Sequence, residues 1–350
     1  MLVTEQIQRT EREYRGLDMD SSSTLKDFAD DRKKYVKKYV YGEPVKPEKD
    51  DSAVKLGRIV ETLLLEDEAV FDRKFQMSTC SKLPTGKMMD FCEALLEQSM
   101  LYRNEQGELT RTFGEISREA HSLSGYDIGY DIVIKRFNDG VGVLYYREKL
   151  SEVGGKTIVT TEERSFAQAI ANRVKRSPYI SQFVNGPRSS HVDIINQLQI
   201  QGFEIDGLQL KGMLDNVVLN HQQKKAVISD LKCTWNVPLF YTEYYLYRKA
   251  YIQAYVYNKA LRYYLDTHNM ADYTIEPTGF IVCDSQNFFE PLYYQLSQQD
   301  MDDAYNGFTE RGKYYPGVKE IIEELKWCKA NNIWNIKKVH YENRGITSLK

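Results

Sequence analysis

The chain has 350 residues, 42% of them apolar and 28% charged, and a formal net charge of −3. This is the balance of a soluble globular protein able to bury a substantial core in one large or two modest domains. It excludes recruitment to nucleic acid by an overall basic field, so any such contact must come from a local patch. No apolar run reaches the length of a membrane span and the first residues lack a signal-peptide core, so the expected compartment is the host-cell cytoplasm, with no membrane partner. Cys80, Cys92, Cys233, Cys283 and Cys328 lie far apart without a CxxC pair. That spacing argues for reduced, packed thiols and against a zinc site or iron–sulfur cluster.

From the N-terminus, the pattern predicts a helix over 22–39, capped by Ser22, Ser23 or Thr24, with Leu25, Phe28 and Ala29 on its apolar side. It contains "DRKKYVKKYVY", where Arg32, Lys33, Lys34, Lys37 and Lys38 interleave with tyrosines. Such a run reads first as a solvated helix face and second as a phosphate track. "YGEPVKPEKDDS" (41–52) reads as a loop. A second helix, about 52–66, carries Ala53, Leu56, Ile59, Val60, Leu63 and Leu64 on its apolar positions. Residues 86–150 read as mostly helical, broken by "RNEQGEL" and "LSGYDIGYDI", and a helix over about 161–176 starts at a Thr160 or Thr161 cap.

From 191 to 232 the pattern changes to period two and β-branched residues, predicting strands. A long helix over 241–265, a strand pair ("PTGFIVCD" and "FFEPLYYQL") and a C-terminal helix over about 298–330 follow. Many of the 26 tyrosines crowd into 241–264, where they serve either helix packing or base stacking. The fold class expected is α/β (α+β), a small mixed central sheet flanked by helices.

"NHQQKK" is the polar break between two of these strands. A turn centred between Gln222 and Gln223 sets Asp215 opposite Asp230, with Lys232 on the same face two residues on. Opposed carboxylates destabilise a hairpin unless a cation compensates them. Two readings follow. Either a divalent ion such as Mg²⁺ is held between them with the lysine beside it, or Lys232 forms an ion pair with one aspartate. On the second helix, Val54, Gly57, Leu64 and Leu65 surround Glu61, which predicts that this carboxylate turns partly inward. Gln253 and Tyr257, four apart, share a face of the long helix. His121, His191, His221, His268 and His340 are scattered without a HExxH spacing, and no GxxxxGK[ST] phosphate loop is present.

Gly212-Met213-Leu214-Asp215 followed by Asp230-Leu231-Lys232-Cys233-Thr234 resembles the PD-(D/E)XK nuclease superfamily, whose core is restriction-endonuclease-like. QxxxY downstream (Gln253, Tyr257) resembles the extra motif of the RecE and lambda-exonuclease branch, shared with Cas4-like nucleases. "GRIVETLLLED" resembles the family helix in which a glycine (Gly57) precedes a metal-binding residue (Glu61) by four. RecE-like proteins typically have His there, which leaves metal preference open. "YRGLDMDSSSTLKDF" and "GGKTIVTTEERSFAQAIANRVKRSP" are similar to further segments of the RecE-type domain, so the resemblance covers most of 14–295. It implies an N-terminal helical segment at 1–50, a nuclease core at 51–300 with a helical insertion at about 78–190, and a C-terminal helical extension at 301–350. It also implies Mg²⁺ or Mn²⁺ held by Glu61, Asp215, Asp230 and the Leu231 carbonyl, with Lys232, Gln253 and Tyr257 completing the catalytic set. The expected activity is exonucleolytic resection of linear duplex DNA, paired with a single-strand annealing protein and carried out by a homo-oligomeric ring. The alternatives are an endonuclease or Cas4-like nuclease of the same superfamily, and a non-catalytic DNA-binding or structural protein that keeps the fold. The missing cysteine cluster counts against an iron–sulfur nuclease.

Overall fold

The computed structural model describes residues 11–43, 52–80, 83–104, 106–153, 155–185 and 191–347. Most of the loop expected at 41–52 lies outside the described residues. The chain forms two units, one of residues 1–66 with 169–350 and the other of residues 67–168.

In the larger unit, helix α1 (Ser22–Asp30) starts at Ser21, whose hydroxyl accepts from the Thr24 N–H while the Thr24 hydroxyl accepts from the Ser21 N–H. The expected caps fall one to three residues late, because the cap needs an extended backbone that Ser21 has and the later residues lack. The expected helix over 22–39 also breaks at Asp31. Its side chain accepts from the N–H groups of Lys33 and Lys34, restarting the helix over Arg32–Tyr35 before one π-helical turn, Val36–Val40. Helix α2 (Ser52–Leu65) buries Ile59, Val60, Leu63, Leu64 and Leu65.

Three long strands, β1 (Val192–Ile205), β2 (Leu208–Asn220) and β3 (Lys225–Thr234), form an antiparallel meander. From β3 the chain crosses over through α3 (Ala250–Thr267) and the short β4 (Thr274–Ile275) before β5 (Gly279–Asp284) lies parallel to β3. Strand β6 (Leu292–Gln295) then returns antiparallel to β5. A parallel neighbour requires such a crossover, and the result is a mixed six-stranded sheet with flanking helices. Helix α3 is buried nearly all round, from Ala250 to Leu265, the pattern of a helix enclosed by protein on every side.

Two expected helices are interrupted. Residues 241–247 are π-helical, and Lys249, at φ +52, stops them one residue before α3. The span 298–330 divides into α4 (Gln298–Asn306) and α5 (Val318–Asn331), separated by a hairpin of Phe308–Glu310 with Lys313–Tyr315. Gly307, Arg311 and Gly312 all take positive φ there, a turn that apolar periodicity does not register.

The smaller unit holds helices Lys87–Leu101, Phe113–Leu123, Tyr130–Asp139 and Val141–Val153 around Phe91, Leu95, Ile116 and Phe137. The Glu148 carboxylate, buried there, accepts the N–H groups of Thr79 and Cys80 at 2.6 and 2.9 Å. A helix over Thr161–Arg176 starts at the Thr160 cap, whose hydroxyl accepts from the Glu163 N–H. No helix of the described residues is long and apolar enough to cross a membrane.

Gly279 pairs with Ser229 on β3 and Gln295 on β6, and a Cβ there would overlap the Tyr293 ring, which stacks on Phe183 at 4.3 Å. Gly279→Ala is expected to cost about 1–3 kcal/mol in urea unfolding by overpacking, and Tyr293→Ala in the same chain to remove most of that cost.

Candidate active site

The β2–β3 ladder runs from Asn220 opposite Lys225 to Asn216 opposite Ser229, the register inferred from the turn. The next position on each strand is Asp215 and Asp230. There the ladder stops, and β3 continues with β5, Asp230 lying beside Phe280. Asp215 bridges the opening with its side chain, Oδ2 accepting the Leu231 N–H at 2.9 Å. A backbone donor that the departing strand leaves unpaired is thus satisfied by the carboxylate itself.

Asp230 is fully buried. Its Oδ1 accepts from Gln253 Nε2 at 2.6 Å, and its Oδ2 is ion-paired with the Lys232 ammonium. Apart from that ion pair, Oδ2 accepts no hydrogen bond among the described residues. Gln253 Nε2 also donates to the Tyr257 hydroxyl at 2.9 Å, one helical turn along α3. The family resemblance implies that Asp230, Lys232, Gln253 and Tyr257 share a site, and the structure brings these four side chains together. Glu61 lines the same cavity from α2, half-buried, its Oε1 accepting from Gln197 Nε2 at 2.7 Å.

Two participants were not read from the sequence. Lys26, on α1, donates from Nζ to Gln253 Oε1 at 3.2 Å. It stands two positions from Phe28 on a nine-residue helix, and nothing local marks it. Gln197 lies between the paired positions Asn196↔Asn216 and Leu198↔Leu214, so it falls beside Asp215 where the β1–β2 ladder skips a pair. Its φ is +54, a strained value for a non-glycine residue inside a strand. Here a signal did exist, since Asn196-Gln197 puts two polar residues in succession and breaks the alternation.

Glu61, Asp215, Asp230, Leu231, Lys232 and Gln253 line a cavity of about 1090 Å³, as does Tyr257. Burial pushes the Asp215 carboxyl well above its ordinary range, and the charges of Asp230 and Glu61 push the same way, with Lys232 and the Leu231 N–H opposing. For Lys232, burial works against the charge, but Asp230, Asp215 and Glu61 outweigh it and hold the ammonium above its usual range. Tyr257 is held well up as a phenol by burial and by the two aspartates.

Hard carboxylate oxygens on adjacent strands, one of them held only by the Lys232 ammonium, are a donor set suited to a divalent cation. Asp215, Asp230 and Glu61 would hold it. As they stand, no three acidic, histidine or cysteine side chains among the described residues converge on one point. Lys232 occupies the Asp230 oxygen and Gln197 engages Glu61, so protein groups supply the compensation in this arrangement.

Because folding raises the Asp215 pKa, the contribution of this residue to stability falls as pH climbs from about 3.8 to its folded value and stays low above it. Asp215→Asn, in chelator, is therefore expected to raise stability at pH 8 by on the order of 1 kcal/mol. The gain should shrink towards pH 4 in denaturant titrations; a loss at pH 8 would contradict the charge assignment.

A family model described as a PDDEXK-like domain of unknown function (DUF3799) matches residues 133–336, more than half of the chain. Nucleases with this core generally use divalent metal ions. Among solved structures, the chain is similar to a protein from Eubacterium rectale, provisionally named an exonuclease and determined at 2.19 Å. The identity is 13% and the TM-score 0.43, over 98% of this chain and 89% of that one. No curated protein matches. With its carboxylate pair and lysine on the split hairpin, the chain belongs to the family of PDDEXK-like domains, DUF3799.

Proposed function

We propose that this protein is a metal-dependent deoxyribonuclease, an exonuclease of the RecE-like branch that resects linear double-stranded DNA. The observation that carries the reading is the split β2–β3 hairpin, where Asp215, Asp230 and Lys232 meet Gln253 and Tyr257 at one cavity wall, with Glu61 lining the same cavity. Glu61, Asp215, Asp230 and the Leu231 carbonyl are the proposed ligands of Mg²⁺ or Mn²⁺. When bound, that ion supplies positive charge that polarises the scissile phosphate and acidifies water.

The chain's own residues do the rest. Lys232, beside Asp230, would position the attacking water or meet the charge growing on the phosphate oxygens. Gln253 fixes the Asp230 carboxylate by its bond to Oδ1. Tyr257 accepts from Gln253 and, kept protonated by its surroundings, retains an O–H to donate towards the strand being cut. By the same resemblance, we assign linear duplex ends as substrate, a single-strand annealing protein as partner, a homo-oligomeric ring as assembly and the host-cell cytoplasm as location. The corresponding division is a nuclease core at 51–300 with a helical insertion at about 78–190, between an N-terminal helical segment and a C-terminal extension.

The test is digestion of linear duplex DNA and a covalently closed circle of the same sequence, with Mg²⁺ or Mn²⁺, against EDTA and Asp230→Asn controls. Loss of the linear form alone, abolished in both controls, is the expected outcome. Cleavage of both forms would replace the exonuclease with an endonuclease. Degradation of neither would leave a non-catalytic protein of this fold.

A further inference from the structure

Lys26 reaches the site from the segment 14–28, whose resemblance to the RecE-type domain assigned it no role. It comes from α1, upstream of α2 and of the hairpin, and it is part-buried beside the carboxylates. Its Nζ donates to Gln253 Oε1, while Gln253 Nε2 donates to Asp230 Oδ1 and the Tyr257 hydroxyl. Burial, with the nearby Lys232 ammonium, lowers the Lys26 pKa to about 8, against the pull of Asp230. An ammonium on α1 with no exposed role, held where its charge is disfavoured, needs a local reason to be there.

The chemistry of the amide supplies one. A glutamine side chain is nearly symmetric in shape, and its two ends differ only in whether they accept or donate. An ammonium can only donate, so Lys26 forces the oxygen of Gln253 to face α1 and its nitrogen to face the aspartate. Were the amide turned over, the oxygen would meet Asp230 as acceptor against acceptor, and Tyr257 would have to donate to that oxygen. Its proton would then be engaged inside the protein instead of being offered to the cavity.

We infer that Lys26 is a positioning residue of the active site, which sets the Gln253 amide and thereby makes Tyr257 a hydrogen-bond donor towards a bound phosphodiester. The inference rests on the nuclease reading for the reaction it serves, whereas the Lys26–Gln253 linkage stands on geometry.

The experiment is a double-mutant cycle of Lys26→Met and Gln253→Ala in the full chain, with Lys26→Arg as the conservative variant. On linear duplex DNA with Mg²⁺, Lys26→Met is expected to lower kcat about 10- to 100-fold with KM little changed. Lys26→Arg should recover most of the loss, and Lys26→Met should add nothing in the Gln253→Ala background. Independent multiplication of the two losses would overturn the inference. So would a DNA-binding salt slope in Ca²⁺ that falls by about one on Lys26→Met, since that marks a direct phosphate contact. The same cycle read as melting midpoints needs no activity: the shift caused by Lys26→Met should differ between the wild-type and Gln253→Ala backgrounds, and equal shifts overturn the linkage. A wild type that cuts no DNA would refute the nuclease reading and the catalytic role, while the midpoints would still decide the linkage.

Discussion

Two carboxylates opposite one another in a protein interior repel, and each has given up its hydration, so positive charge must stand beside them for the fold to tolerate the pair. That requirement organises the centre of this molecule. The β2–β3 ladder ends one residue before Asp215 and Asp230, Asp215 turns to the Leu231 N–H, and Lys232 folds back onto Asp230. Each adjustment lowers the electrostatic cost of a site that no apolar core would contain. The price is a hairpin that opens where it would otherwise pair best.

The surrounding structure keeps this arrangement in place from a distance. The segment before α1 is fastened to β2 by Lys211, whose Nζ donates to the carbonyls of Tyr14, Arg15 and Leu17 at 3.1, 2.9 and 2.7 Å. Asp20 pairs with Leu210 through the backbone, and its side chain takes both the Tyr35 hydroxyl and the Lys329 ammonium. Arg32 adds an ion pair to Glu324 on α5 at 2.7 Å. Exposed ion pairs contribute little each. Here, however, they join the N-terminal segment around α1 to α5, which packs directly against α1. Helix α5, beyond the 14–295 span of the resemblance read from the sequence, therefore supports the site through α1.

What was legible in the sequence was whatever local periodicity determines. The turn at Gln222-Gln223 set the register, period two put Asp230 and Lys232 on one face, and the helical period put Gln253 beside Tyr257 and turned Glu61 inward. The interruptions were not legible, because each is decided by one side chain or one backbone angle. Asp31 caps a new helix instead of continuing the old one, and Lys249 adopts a left-handed conformation that its composition does not announce. Residues 307–312 likewise turn between α4 and α5. Lys26 was hidden for a different reason. Its partner is 227 positions away, a contact created only when α1 packs against α3, and no pattern along the chain encodes it.

The net charge of −3 bears on how a polyanion reaches such a site. Several cations that line the cavity already have internal partners: Lys211 holds three carbonyls, Lys329 holds Asp20, and Lys38 holds Asp27 at 2.9 Å. These residues build the wall more than they attract phosphate. On the proposed function, the charge that receives a phosphodiester must then come from the centre, where Lys232 and Lys26 stand against three carboxylates. A divalent cation held by those carboxylates would reverse that balance, leaving a net positive cluster in place of a net negative one. On that proposal, the electrostatics that make the hairpin costly without metal would also make substrate acceptance depend on metal. Metal binding and DNA binding should be positively coupled, through the sign of the local charge and with no movement of the fold required.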